Sequence, residues 1–154
     1  MNEEKPIPPE EWKAIVRNVP ISSVDLLVHY QGGLILGFRQ NEPVKGEWFV
    51  PGGTILKNER LTEAVQRVAR EELGCTVEIV DSLGTYEHFY DVSEFPEIDS
   101  KHYLANVFVV EPHDEPVVAD DQHSEFRVFE SSATGLHPYV QRYFDALDDL
   151  PDTS

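Results

Sequence analysis

The stretch between residues 51 and 75 carries the residue types in this chain that best suit catalysis. It begins with Pro51-Gly52-Gly53, where two consecutive glycines let the backbone approach a ligand closely. It ends with a pair of adjacent glutamates, Glu71 and Glu72. If the glycine loop folds back toward these acids, backbone carbonyl oxygens and a carboxylate lie close together. The stretch therefore favours a metal site.

One helix is predicted between these two ends, with Asn58 as its N-cap and Gly74 as its stop. At about 100° per residue, one face collects the apolar side chains of Leu61, Ala64, Val65, Val68 and Ala69. Glu72 follows Val68 by four residues and therefore points toward this apolar side. A carboxylate there needs solvent at the helix end, an arginine or a metal ion. The glycine loop upstream favours the metal.

The same residues resemble the signature of the Nudix hydrolases. That signature is a glycine, five residues, a glutamate, seven residues, and then arginine-glutamate-aliphatic-any-glutamate-glutamate-any-glycine-aliphatic. The positions that match in register are Gly53, Glu59, Arg67, Glu71, Glu72 and Gly74. Val68 stands where the signature has the glutamate that directly follows its arginine. This loss is similar to the GDP-mannose mannosyl hydrolase branch of the superfamily.

The resemblance to the mannosyl hydrolases runs from about Val16 to Leu147. Similar stretches are found at residues 20–25, 46–53, 88–91, 102–103 and 121–123. The last stretch contains Gln122, a neutral oxygen ligand, and His123, which can accept a proton. Such a polar pair in a loop would have no predicted role by itself. Beside the Nudix signature, it is predicted to be functional.

The resemblance implies a metal site and a base. The ligands would be the Gly52 carbonyl, Glu72 and Gln122, and Glu71 is available as an additional ligand. These oxygen donors suit one Mg²⁺ or Mn²⁺ ion per subunit. His123 is implied as the base that activates water to attack C1 of the sugar with inversion. The metal and arginines would stabilise the leaving nucleoside diphosphate.

Further positions are implied to act on the substrate. Arg39 and Arg67 match family arginines that meet the substrate or its diphosphate. Arg67 has an equal structural alternative, because Glu63 and Glu71 lie within pairing distance along the helix. The family's sugar-contacting aspartate, its polar residue near the sugar and its phosphate-facing tyrosine correspond to Asp25, His88 and Tyr103.

Two departures from the branch keep other functions open. Thr54 replaces the arginine that follows the double glycine, which implies slower turnover, a substitute cation such as Lys57 or Arg60, or a different nucleotide. Glu71 could support a second metal and keep phosphorus chemistry available. One alternative is therefore a standard Nudix diphosphatase that attacks phosphorus and releases nucleoside monophosphate. The other is a non-catalytic nucleotide-sugar binding protein.

The chain is strongly acidic, with 29 Asp and Glu residues against 12 Lys and Arg and a formal net charge of −17. Nucleic-acid binding needs clustered lysines and arginines, so a nucleic-acid partner is not expected. An acidic, lysine-poor surface suits a protein that lives at high salt, where counterions screen the self-repulsion. An acidic protein adapted to ordinary salt is the alternative.

The length of 154 residues predicts a single domain over residues 1–154, with a short polar tail after about residue 150. Helices are predicted at 8–19, 59–73 and 137–147, and strands at 23–30, 34–39, 48–50, 76–81, 83–90, 101–111 and 126–130. This alternation predicts an α/β domain with a mixed β-sheet between helical layers.

Partners and location follow from composition and resemblance. The single cysteine, Cys75, excludes an intrachain disulfide. We find no apolar run long enough to span a bilayer and no signal-peptide pattern at the N-terminus, so a soluble cytoplasmic protein without membrane contacts is expected. The resemblance implies a nucleotide-sugar substrate and a homodimer.

Overall fold

The computed structural model describes residues 7–116 and 126–149, which form one mixed sheet with helices on both faces. The elements in chain order are α1 (Pro9–Asn18), β1 (Ile21–Tyr30), β2 (Gly33–Phe38), β3 (Trp48–Phe49), β4 (Gly52–Thr54), α2 (Leu61–Leu73), β5 (Val77–Tyr90), β6 (Lys101–Pro112), β7 (Phe126–Phe129) and α3 (Pro138–Asp148). The predicted α/β architecture is confirmed. Among the described residues, no helix has the length and apolarity that a membrane crossing requires.

Strand β1 lies at the centre of the sheet. The strands follow the order β3-β2-β1-β6-β5, with β4 paired to β1 and β7 paired to β2. The β1–β6 pair is parallel, and the other pairs are antiparallel. Within β1, Asp25 is opposite Gly52 on one side and Val107 on the other. The sheet therefore brings the glycine loop directly against the aspartate of β1.

Alternate residues of β1 point to opposite faces of the sheet, and each face is covered by a helix. Leu26 belongs to the core that includes Val68 of α2. Leu27 belongs to the core that includes Tyr143 of α3. Helix α1 packs through Trp12 in a smaller cluster near the start of β1. The two main cores hold α2 and α3 in fixed positions relative to the central strand.

The N-terminus of α2 differs from the prediction. The N-cap is Arg60 and the helix begins at Leu61, whereas Asn58 lies in the preceding loop with a φ of 69°. Asn58 as N-cap was therefore wrong. The Glu59 carboxylate accepts a hydrogen bond from the Leu56 amide at 3.0 Å, which keeps this segment in a loop. Gly74 ends the helix in the left-handed conformation with a φ of 75°, as predicted.

Two other elements also differ. The predicted strands at 76–81 and 83–90 form the single strand β5, whose pairing with β6 is interrupted by register shifts between Ile79 and Asp81 and between Ser82 and Gly84. These irregularities bend the strand without ending it. Residues 52–54, predicted as loop, pair with β1 as β4. Short strands of this kind give no periodic signal, because two or three residues cannot show alternation.

Candidate active site

A cavity of about 360 Å³ opens beside the paired strands β1 and β4. Five of the predicted site residues line it: Asp25, Arg39, Gly52, His88 and Tyr103. They come from β1, the segment after β2, β4, β5 and β6. Residues that are far apart in the sequence thus share one concave surface of the size that binds small molecules.

The double glycine allows three elements to approach one another closely. A Cβ atom on Gly52 would lie 2.6 Å from Oδ1 of Asp25, and one on Gly53 would lie 2.9 Å from Cγ2 of Val68. Any larger residue would push β4 away from β1 or from α2. Val68 is 1% exposed, so the residue that replaces the signature's glutamate packs beneath Gly53 in the core.

A buried chain of hydrogen bonds forms the wall of the cavity around Asp25. The Tyr143 hydroxyl donates to Oδ2 of Asp25 at 2.6 Å and lies 2.6 Å from Nε2 of His88. His88 stacks on Tyr139, with ring centroids 4.1 Å apart. Burial, followed by the negative charge of Asp25, raises the pKa of Tyr143 far above its ordinary value. The phenol therefore keeps its proton.

Tyr143 and Tyr139 are members of the site that the sequence did not predict. Both lie on the apolar face of α3, where periodicity identifies them only as packing residues. Their hydroxyl groups were the available signal, because a buried tyrosine oxygen needs a hydrogen-bond partner. His137 caps the same helix, with Nδ1 accepting from the Tyr139 amide at 3.1 Å. Burial lowers the pKa of His137.

A second polar cluster lies on another part of the cavity lining. Nζ of Lys101 donates to Glu94 at 2.8 Å, and Nε1 of Trp12 donates to the same carboxylate at 2.9 Å. The lysine also lies over the rings of Trp12 and Tyr103. Burial acts to raise the pKa of Glu94, but these two hydrogen bonds hold it below its ordinary value. This cluster joins α1 to the cavity.

The cations that line the cavity, among the described residues, are Arg39 and Lys101. Two cations were named above as substitutes for the missing arginine. Lys57 lines a different groove, along the exposed side of α2, and Arg60 does not line the cavity. The guanidinium group of Arg39 makes no hydrogen bond or ion pair within residues 7–116 and 126–149. Arg39 is thus available to an anionic ligand.

Arg67 connects the glycine loop to the helix. Its guanidinium group donates to the Glu59 carboxylate at 2.7 Å, to the Thr54 carbonyl at 2.7 Å and to Glu71 at 3.2 Å. The hydrogen bond from Arg67 is the largest cause that lowers the pKa of Glu59. The pairing of Arg67 along the helix, expected as the structural alternative, is therefore observed with Glu71, and Glu59 is a further partner. Arg67 does not line the cavity around Asp25.

Glu72 lies one turn after Val68 on the same stripe of α2, but its side chain is exposed rather than inserted in the core. It makes no hydrogen bond or ion pair with the described part of the chain. Desolvation nevertheless raises the pKa of Glu72, while the positive charge of Arg39 acts in the opposite direction. Glu72 is not among the residues that line the cavity around Asp25.

The oxygen donors available here fit a hard divalent cation. The Glu72 carboxylate makes no hydrogen bond or ion pair with the described residues, and Gly52 lies at the cavity. Glu71 is engaged by Arg67. Within the described ranges, no group of three or more His, Cys, Asp or Glu side chains could hold a metal. The predicted metal ligands do not require such a group, because they are a backbone carbonyl, one carboxylate and one side-chain amide. Gln122 and His123 lie outside the described residues.

The chain is similar to known proteins in both sequence and structure. The NUDIX domain model matches residues 20–150. The low-salt glycan biosynthesis protein Agl8 of Haloferax volcanii is 61% identical over 142 residues, covering 92% of this chain and 91% of that protein. The ADP-ribose pyrophosphatase of Methanocaldococcus jannaschii is 29% identical over 112 residues, covering 72% of this chain and 62% of that protein. The crystal structure of a MutT NUDIX hydrolase from Burkholderia pseudomallei has a TM-score of 0.68 at 23% identity, covering 83% of this chain and 98% of that one.

Proposed function

Because the chain belongs to the NUDIX family, we propose that it is a hydrolase that cleaves a nucleoside-diphosphate sugar, of GDP-mannose or GDP-glucose type, at C1 of the sugar. The products are the free sugar, with inverted configuration, and the nucleoside diphosphate. The enzyme uses one Mg²⁺ or Mn²⁺ ion per subunit and acts as a homodimer.

The observation that carries this proposal is the placement of the Asp25 carboxylate beside Gly52 in a cavity that also holds Arg39. A carboxylate repels phosphate but accepts hydrogen bonds from sugar hydroxyls. An arginine that has no ion pair among the described residues attracts the diphosphate and has no preference for a neutral sugar. A ligand that contains both a sugar and a diphosphate suits both groups. Tyr103 is the further substrate contact we propose, and His88 lies beside Asp25 in the same cavity lining.

The metal ligands we propose are the Gly52 carbonyl, Glu72 and Gln122. When bound, the ion would neutralise negative charge that develops on the leaving diphosphate. Val68 removes one of the acidic ligands that ordinary members of the superfamily use, and Glu71 already pairs with Arg67. Both features favour a single ion, with Glu71 available as an additional ligand only if its pairing is broken.

In the proposed mechanism, His123 accepts a proton from water as the water oxygen forms a bond to C1. The bond between C1 and the phosphate oxygen breaks, and its electron pair leaves with the nucleoside diphosphate. Arg39 stabilises the charge on that leaving group. Arg67 contributes indirectly, because its hydrogen bonds to the Glu59 carboxylate and the Thr54 carbonyl fix the position of the glycine loop.

The relatives support the substrate class to different degrees. The protein from Haloferax volcanii bears a glycan biosynthesis name, which favours a nucleotide sugar over other nucleotides. The second relative is an ADP-ribose pyrophosphatase, which favours the alternative of phosphorus attack. A non-catalytic binding protein is the third candidate. Product analysis separates the three: free sugar with nucleoside diphosphate supports our proposal, nucleoside monophosphate supports the second, and no product supports the third.

The acidic surface leads to a prediction about salt. We propose that the net charge of −17 is an adaptation to high salt, a view supported by the halophilic source of the relative that is 61% identical. Counterions screen the repulsion between surface carboxylates in the folded state. The midpoint of thermal unfolding should therefore rise between low salt and molar KCl. An unchanged or lower midpoint in KCl would contradict the adaptation.

A further inference from the structure

The hydrogen bonds around Tyr143 assign a direction to each proton in the buried chain. Tyr143 is fully buried, and its hydroxyl lies 2.6 Å from both Oδ2 of Asp25 and Nε2 of His88. A phenol has one proton to donate. Because that proton goes to the carboxylate, the hydroxyl must accept from His88, and Nε2 of His88 must carry a hydrogen.

Both ring nitrogens of His88 face other protein groups. Nε2 is used by Tyr143, and Nδ1 lies 3.2 Å from the carbonyl oxygen of Glu87. One face of the ring is covered by Tyr139. The residue is only 2% exposed, although it belongs to the cavity lining. A substrate hydroxyl could reach a nitrogen of this ring only by displacing the Tyr143 hydroxyl or the Glu87 main chain.

Asp25 differs from His88 because one of its oxygens remains available. Oδ2 receives the Tyr143 hydroxyl, whereas Oδ1 makes no hydrogen bond with the described residues. Oδ1 also lies on the side of Gly52, since a Cβ atom at that position would come within 2.6 Å of it. The carboxylate is therefore held by one oxygen and presents the other toward the glycine loop and the cavity.

We propose that Tyr143 and His88 are positioning residues that act only through Asp25, and that Oδ1 of Asp25 is the atom that accepts a hydrogen bond from a sugar hydroxyl. This inference rests on the proposed function and assigns the recognition of the sugar to one atom. It also changes the implied role of His88, from a residue that touches the substrate to one that orients the residue that does.

The test is a set of double-mutant cycles. Tyr143→Phe and His88→Phe are each introduced into the wild-type protein and into the Asp25→Asn variant, and kcat and KM are measured for GDP-mannose with Mg²⁺. Tyr143→Phe removes a hydrogen bond to a charged group and should lower kcat/KM roughly ten- to hundredfold. His88→Phe removes a hydrogen bond to a neutral hydroxyl and should lower kcat/KM roughly three- to tenfold. In the Asp25→Asn background, each change should cost less than about threefold, because the residue through which it acts is already impaired.

Tyr86→Phe is the matched control. The Tyr86 ring contacts Tyr143 edge to face at 5.2 Å, and its hydroxyl has no hydrogen bond among the described residues. Its removal should leave kcat/KM unchanged. If His88→Phe or Tyr143→Phe lowered kcat/KM by the same factor in the Asp25→Asn background as in the wild-type protein, the inference would be overturned. Wild-type activity in the single variants would also overturn it. If Tyr143→Phe does not fold, as judged by thermal unfolding, His88→Phe carries the same test.

A binding measurement separates this inference from the proposed function. Calorimetric titration should show that Tyr143→Phe weakens the affinity for GDP-mannose while the affinity for GDP, which has no sugar to contact Asp25, stays unchanged. Equal loss for both ligands would overturn the role in sugar recognition. If the wild-type protein binds GDP-mannose without hydrolysing it, the proposed function fails, and the difference between the two affinities still decides the inference.

Discussion

Replacing Glu72 by glutamine is expected to lower kcat by roughly two to four powers of ten, because removal of a metal ligand costs several kcal/mol of charge stabilisation in the transition state. Glutamine keeps the size of the side chain and removes its charge. Glu72 has no hydrogen bond or ion pair with the described residues, so the change should leave the midpoint of thermal unfolding nearly unaltered. Calorimetric titration with Mn²⁺ should show a matching loss of metal affinity.

Two neighbouring glutamates provide the controls for Glu72. Glu78 is exposed on β5, and Glu78→Gln should change neither the rate nor the metal affinity. Glu71 pairs with Arg67, and in a single-ion site Glu71→Gln should lower kcat far less than Glu72→Gln. Near-native turnover in Glu72→Gln would exclude this acid as a metal ligand. An equally large loss in Glu71→Gln would indicate a second ion and favour phosphorus chemistry.

The His123→Ala variant should lose roughly two to four powers of ten in kcat, since general-base catalysis contributes about that much. Substrate binding should be largely kept, because the base acts on water and not on the nucleotide. Single-turnover kinetics, together with calorimetric titration of GDP-mannose, separate these two effects. The result would assign the role of a residue that lies outside the described part of the chain.

His113→Ala provides the histidine control for this experiment. His113 is exposed, and its ring nitrogen Nδ1 lies 2.9 Å from the hydroxyl oxygen of Thr76, away from the cavity lining. Its substitution should leave kcat within the error of the assay. A near-native rate in His123→Ala would remove that residue as the base, and the proton acceptor would have to be sought elsewhere.

Local sequence patterns predicted much of the frame that carries the site. The stripe that contains Val68 identified the buried face of α2, and Gly74 identified its end, because both signals depend only on neighbours along the chain. The double glycine marked a close backbone approach, which the structure explains through contacts with Asp25 and Val68. These features are local or concern the backbone, so the sequence alone was sufficient.

Contacts between distant residues could not be predicted in this way. Tyr143 and Asp25 are 118 positions apart, and Trp12 and Glu94 are 82 positions apart, so neither pair leaves a periodic signal. The start of α2 was wrong for a related reason. Arg67, in the second turn of α2, donates a hydrogen bond to the Glu59 carboxylate. This pairing outweighs the local preference of Asn58 for an N-cap position.

The structure also bears on Thr54, the departure that left the nucleotide open. Its carbonyl accepts a hydrogen bond from Arg67, which holds the backbone of the loop whatever the side chain at this position. Arg39 and Lys101 are the cations that line the cavity in the described ranges, and Lys101 is already paired with Glu94. Arg39 is therefore the residue to which we assign the leaving diphosphate in place of the missing arginine.

The position of bond cleavage tests the central claim most directly. Hydrolysis of GDP-mannose by the wild-type protein in oxygen-18 water with Mg²⁺, followed by mass spectrometry of both products, locates the atom that the water attacks. Attack at C1 predicts one oxygen-18 atom in the free sugar and none in the nucleoside diphosphate. Oxygen-18 in a nucleoside monophosphate or a sugar phosphate would show attack at phosphorus and would contradict the account.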